Sequence, residues 1–183
     1  MARPGCAVGH GELKVKRRLW VVGVWVAASL VFLAVSCQGT GSVGSEKGKE
    51  ASDFSLPTLD GGADNLRNYR GRTVILNFWA TWCGPCRAEM PDMQAVFAQM
   101  RDRGVVVLAV NQGESREKVA EFAREFGLTF PILLDENRSV GNQYGVRAYP
   151  TTLFIDKNGV VRQVTVGGLT RAAILRQLEG LLK

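Results

Sequence analysis

An apolar run that stops at a Cys-x-x-Cys limits the folds open to this chain more than any other feature. Thr73-Val74-Ile75-Leu76-Asn77-Phe78 is rich in β-branched and aromatic residues, as a buried strand is. It runs through Trp79-Ala80-Thr81-Trp82 into Cys83-Gly84-Pro85-Cys86, where a helical pattern opens. Two cysteines separated by two residues can form a disulfide with little backbone movement. At the start of a helix the first thiol meets unpaired N–H groups and the positive end of the helix dipole, which favour a thiolate. That is the requirement for thiol–disulfide exchange.

The rest of the sequence alternates strand and helix signals around this junction. Asp53–Leu56 is an extended entry and Asp60-Gly61-Gly62 a turn. Met90, Met93, Phe97 and Met100 recur every three or four residues, the spacing of a core face, and Pro91 predicts a kink in that helix. Val105–Val110 is a continuous apolar run, as in a buried parallel strand. Ser115 predicts the cap of a helix carrying Val119, Phe122, Ala123 and Phe126. Phe130–Leu134 reads as a strand and Ser139–Tyr144 as a short helix. Thr151–Ile155 and Val160–Val166 flank the hairpin signal Asp156-Lys157-Asn158-Gly159, and Thr170 predicts the cap of a last helix. The fold class expected is α/β, with a central mixed sheet, helices on both faces and a short N-terminal extension.

Charge and histidine content exclude several functions. The formal charge of +6 is concentrated in the leader, where Arg3, Lys14, Lys16, Arg17 and Arg18 face one acid, Glu12. From Gln38 onward there are 18 basic and 16 acidic residues, with no basic stripe interleaved with aromatics, so no nucleic-acid partner is expected. The single histidine, His10, lies in the leader. The domain therefore has no His for a Cys–His or Ser–His mechanism, and with only two cysteines it lacks a four-ligand zinc set. No metal or cofactor is expected beyond a redox-active Cys83–Cys86 pair. A staple closing so short a loop restricts the unfolded chain little, so redox chemistry explains the pair better than stability does.

The leader sets the compartment. Lys14–Arg18 is a basic n-region, and Leu19–Val35 is an uncharged run of 17 residues. As a helix it would span roughly 25 Å, between a secretory h-region and a full membrane span. Ala34-Val35-Ser36-Cys37 resembles a lipoprotein signal, in which the cysteine becomes lipidated, although Ala34 stands where leucine is usual. An uncleaved anchor helix is the alternative. Residues 1–37 are thus assigned to a signal peptide or anchor, 38–52 to a flexible linker of roughly 20 Å reach, and 53–183 to the domain. In either case the basic end stays in the cytoplasm and the domain faces the extracytoplasmic side of a bacterial membrane.

Leu76–Pro91, with Tyr149-Pro150-Thr151-Thr152-Leu153-Phe154-Ile155-Asp156, resembles the thioredoxin superfamily over about residues 51–183. Within it, the chain is similar to the membrane-tethered TlpA/ResA-type thiol–disulfide oxidoreductases. The resemblance implies that Cys83 is the nucleophile and Cys86 the resolving thiol. It implies that Pro150 is a cis-proline facing them, and that Trp82, Gly84, Pro85, Tyr149 and Pro150 form the substrate-contact surface. Asn77 stands where many thioredoxins carry a buried Asp, and Glu89 matches an acid of the ResA type. Glu89 lies three residues after Cys86 on the same helix face, where it can handle that thiol's proton. Gly84-Pro85 is the dipeptide of reducing thioredoxins. A reductase in this compartment would draw electrons from a transmembrane thiol relay of the CcdA/DsbD kind. Its substrates would be exported protein disulfides, apocytochrome c among them, and it would work as a monomer. A disulfide oxidase or isomerase is the main alternative. A peroxiredoxin lacks its Pro-x-x-x-(Thr/Ser)-x-x-Cys signature here, and a copper chaperone lacks its distant His.

Overall fold

The computed structural model describes residues 44–182. The leader, its apolar run and Cys37 lie outside the described residues. Among the described residues, no helix is long and apolar enough to cross a membrane.

Five strands form the main sheet, in the order β5-β4-β3-β6-β7. At its centre is β3 (Thr73–Trp79), every residue of which is buried. It pairs parallel with β4 (Val105–Gln112), from Thr73 opposite Val105 to Trp79 opposite Asn111. On its other side it pairs antiparallel with β6 (Thr151–Ile155). Beyond β4 lies β5 (Ile132–Asp135), parallel, and beyond β6 lies β7 (Val161–Val166), antiparallel. A separate antiparallel pair, β1 (Ser55–Pro57) and β2 (Ala63–Asn65), precedes the sheet and leads into a 3-10 turn at Leu66–Tyr69.

The strand period of two divides the core into two layers. Ile75 and Trp79 of β3, with Val107, Ala109, Ile132 and Phe154, face one side. There they meet α1 (Gly84–Met100), α2 (Arg116–Glu125) and α4 (Arg171–Glu179) through Met90, Met93, Phe122, Ile174 and Leu178. Val74, Leu76 and Phe78 face the other side, against Val140 of the short α3 (Ser139–Gln143), Tyr144 and the β1–β2 segment. The expected mixed sheet with helices on both faces is what the chain builds.

Local signals hold with one difference. Thr170 caps α4, its Oγ1 accepting from Ala173 N at 3.3 Å. Ser115 occupies the cap position of α2 in extended conformation, but its hydroxyl makes no capping bond. α1 continues through Pro91, which lies on the exposed side. There the carbonyl that loses its amide partner can meet water, while the buried face of Met90, Met93 and Val96 keeps the helix on the sheet. In the β6–β7 hairpin, Gly159 has φ +80, which favours glycine, and a Cβ there would displace the Arg70 guanidinium.

The second half of the segment read as linker, 38–52, is hydrogen-bonded to this hairpin. Gly48 N donates to Val161 O (2.7 Å), Val161 N to Lys49 O (2.9 Å) and Ala51 N to Gly159 O (2.9 Å). Composition favours a coil there, but the free edge at the start of β7 supplies backbone partners.

Leu108 of β4 is fully buried, whereas Val166 at the end of β7 is 65 % exposed. Leu108→Ala is expected to lower unfolding stability by about 2–5 kcal/mol, and Val166→Thr to change it by less than about 0.5 kcal/mol. The urea midpoints of the two variants check this.

Candidate active site

The site forms where β3 ends. Between Trp79, fully buried against Phe122 with ring centroids 4.9 Å apart, and the first turn of α1, the chain has only residues 80–83 in which to reverse direction. Cys83 is the N-cap of α1, in extended conformation, and its Sγ accepts from Cys86 N at 3.2 Å. Sulfur therefore stands where a Ser or Asp oxygen often caps a helix. Pro85 lies in the first turn, where a missing N–H costs nothing. Cys83 and Cys86 are joined by a disulfide, with Cα atoms 5.2 Å apart. Cys83 keeps 5 % of its surface in solvent and Cys86 none. Cys83 is thus the more accessible of the two sulfurs.

Around Cys83 the contact residues lie as expected. Gly84 and Pro85 are exposed. Trp82 is 60 % exposed and meets Tyr149 edge-on at 5.9 Å. The Tyr149–Pro150 peptide bond is cis, and Pro150 O accepts from Gly167 N at 2.8 Å. Gly168 lies against Pro85, where a Cβ would be 3.4 Å from the Pro85 carbonyl oxygen. The motif, the proline segment and the loop after β7 thus meet at one end of the sheet.

Two carboxylates are buried at the site, and their surroundings push them in opposite directions. Glu89, 2 % exposed, lies on the buried face of α1, one turn after Cys86. Its Oε1 accepts from Asn77 Nδ2 (2.8 Å) and its Oε2 from Leu169 N (3.0 Å). Burial pushes its carboxyl up to about 7, against the opposing pull of those two hydrogen bonds. Glu114, from the loop after β4, accepts from Thr81 N, Thr81 Oγ1, Asn111 Nδ2 and the Lys118 ammonium, at 2.7–2.8 Å. Burial again opposes its charge, but these donors outweigh burial and hold it below the ordinary carboxylate range. It fixes the backbone two residues before Cys83. Arg87 adds to this framework by stacking its guanidinium over Phe122 and Phe126, 5.1 and 4.9 Å from the ring centroids.

Sequence reasoning reached Asn77 and Glu89 but missed Glu114, Leu169 N and Thr152. Gln112-Gly113-Glu114-Ser115 has the composition of a solvated loop, and a backbone N–H has no residue signature. Thr152 stood inside the quoted Pro-Thr-Thr segment, but its bond to Asn77 (2.9 Å) depends on β3 pairing with β6.

Residues 47–164 match the AhpC/TSA family. Thiol-disulfide oxidoreductase ResA of Geobacillus thermodenitrificans is 47% identical over 134 residues, covering 73% of this chain and 77% of that protein. A crystal structure of a thiol:disulfide interchange protein of the thioredoxin family from Chlorobium tepidum superposes with a TM-score of 0.69. It is 28% identical, over 76% of this chain and 99% of that one. The pneumococcal exposed lipoprotein thioredoxin of Streptococcus pneumoniae gives a TM-score of 0.60. It is 34% identical, over 71% of this chain and 100% of that one.

Folded Glu89 holds its proton up to about 7, whereas a glutamate in the unfolded chain releases it near 4.5. Between those values the folded state binds more protons, so stability falls as pH rises through this window and levels off above it. Across the window, the oxidised wild-type protein is expected to lose about 3 kcal/mol relative to Glu89→Gln. Urea unfolding of both at a series of pH values checks the slope.

Proposed function

The chain belongs to the AhpC/TSA family and, within it, is a ResA-type thiol–disulfide oxidoreductase; from that membership we propose that it is a membrane-tethered reductase of exported protein disulfides. The observation that carries this reading is the Cys83–Cys86 disulfide at the cap of α1, with the outer sulfur reachable and the inner one buried.

The reaction has two displacements. The Cys83 thiolate attacks one sulfur of a substrate disulfide, forms the Cys83–substrate bond and releases the other substrate sulfur as a thiolate. Cys86 then loses its proton and attacks Cys83 Sγ. The second substrate sulfur leaves, the Cys83–Cys86 bond forms, and two electrons have passed to the substrate. Burial of Cys86 opposes the charge it must carry before attack. Glu89 lies one helical turn away, and its carboxyl, pushed up to about 7, is suited to take that proton and return it on re-reduction. Trp82, Gly84, Pro85, Tyr149 and Pro150 hold the substrate segment, with the stretch before β6 offering backbone pairing.

The tether and the compartment belong to the same proposal. The basic leader and uncharged run support a domain outside the cytoplasm, with Cys37 as the lipidation site or at the end of an anchor helix. The likeness to an exposed lipoprotein thioredoxin supports a lipid tether. Reduction outside the cytoplasm needs electrons from a membrane thiol relay of the CcdA/DsbD type. Cysteine pairs of apocytochrome c, which must be reduced before haem attachment, are the substrates we favour, with the protein acting as a monomer.

The Cys86→Ser variant is expected to accumulate a mixed disulfide with substrate on non-reducing gels, and Cys83→Ser to form none. A reduction potential near the roughly −270 mV of thioredoxin supports the reducing direction, and one near roughly −120 mV makes the protein a disulfide donor instead.

A further inference from the structure

The amide of Asn77 is bonded at one end only. It is fully buried in the middle of β3, on the face covered by α1. Its Nδ2 donates both to Glu89 Oε1 (2.8 Å) and to Thr152 Oγ1 (2.9 Å). Its Oδ1 is buried without a hydrogen-bond partner among the described residues. An idle acceptor in a core is costly, so its presence calls for a reason.

We propose that Asn77 is a positioning residue for Glu89, whose amide turns over with the Glu89 proton and bonds that carboxyl in both its charged and its neutral form. The proposal rests on the reading of Glu89 as the proton acceptor for Cys86.

The argument is one of donors and acceptors. A carboxylate only accepts, whereas a protonated carboxyl also donates. A hydroxyl such as that of Thr152 does either. The two ends of an amide have nearly the same shape and opposite polarity, and the surrounding network decides which end points where. With Glu89 charged, Nδ2 serves both neighbours. With Glu89 protonated, half a turn of the amide brings Oδ1 to the same place. There it accepts from the Glu89 O–H and from the Thr152 hydroxyl, using its two lone pairs. Each orientation makes two bonds and leaves one end idle. The two bonds lost at one end are replaced by two at the other, so the turn costs no net hydrogen bond.

In the orientation seen here the Nδ2 bond favours the carboxylate, and the turned amide would favour the neutral acid in the same way, so over both orientations Asn77 favours neither charge state. Leu169 N–H differs, since it can only donate and so favours the carboxylate. Burial outweighs the bonds from Leu169 N and, in this orientation, Asn77 Nδ2, and so raises the carboxyl. The other groups around Glu89 can be named. On its own helix are the Cys83–Cys86 pair and Asp92, whose Oδ2 accepts from Arg171 N at the start of α4. β3 and β6 contribute Asn77 and Thr152, both uncharged. An aspartate at position 77 would set a second negative charge against Glu89, and an apolar residue would bond neither form.

The test uses the full-length oxidised chain, with 13C in its glutamate carboxyls and 15N in its asparagine side chains. It is titrated between about pH 5 and about pH 9, spanning the ordinary carboxylate and neutral ranges. Spectra of Glu89→Gln and Asn77→Leu assign the signals. The expected result is that the Asn77 amide shifts follow the Glu89 carboxyl with the same midpoint. Asn77→Leu should then move that midpoint by less than about half a unit, because both forms lose a bond. Flat Asn77 signals beside a titrating Glu89 would overturn the proposal. So would a rise of about one unit or more in Asn77→Leu, the size expected when only the charged form loses a donor. A Glu89 that stays unprotonated throughout the range would instead overturn the proton-acceptor reading beneath it. Should Asn77→Leu not fold, the wild-type titration decides alone.

Discussion

The pairing of β3 on both edges is the constraint from which the rest of the site follows. Thr73 to Trp79 is hydrogen-bonded to β4 on one side and to β6 on the other, and buried from above and below. A strand held on all four sides cannot shift, because a one-residue slip would turn Ile75 and Trp79 to the face of Val74 and Leu76. Its C-terminal end is therefore a fixed point. Residues 80–83 bridge from it directly into α1, so the sulfur of Cys83 inherits the rigidity of the sheet centre. The same pairing brings Thr152, at the start of β6, beside Asn77, and places the segment carrying Tyr149 and Pro150 at the same end of the sheet.

Two buried carboxylates show how one fold assigns opposite tasks to one residue type. Glu114 has four donors, one of them a lysine ammonium, and stays charged. It serves as an anchor for the Thr81 backbone. Glu89 has two donors, neither of them charged, and burial dominates. Its proton affinity falls in the range where thiols exchange protons. The number and charge of the partners decide which way each carboxyl is pushed, since desolvation penalises both side chains alike.

Much of the fold was legible because it rests on local period and on turn chemistry. The apolar run of β4, the spaced methionines of α1, Thr170 at the cap of α4 and the Asp156–Gly159 hairpin all carry their signals within a few residues. Ser115 shows the limit of such signals: a serine in the cap position need not make the capping bond. Residues 48–51 read as coil by composition, yet they pair with Gly159 and Val161, because an open strand edge offers partners to any backbone that passes it.

Residue type and short spacing place the candidate groups: a Cys-Gly-Pro-Cys at a strand-to-helix junction, a domain without histidine, and an acid one turn beyond the second cysteine. How that acid is tuned depends on contacts that only the folded chain makes. Asn77, Thr152 and Leu169 are 12, 63 and 80 residues from Glu89, and Glu114 is 33 from Thr81. Such groups meet because strand pairing and helix packing close long loops of chain. The polarity of a buried pocket depends on which backbone and side-chain donors that closure delivers, and no local pattern encodes it.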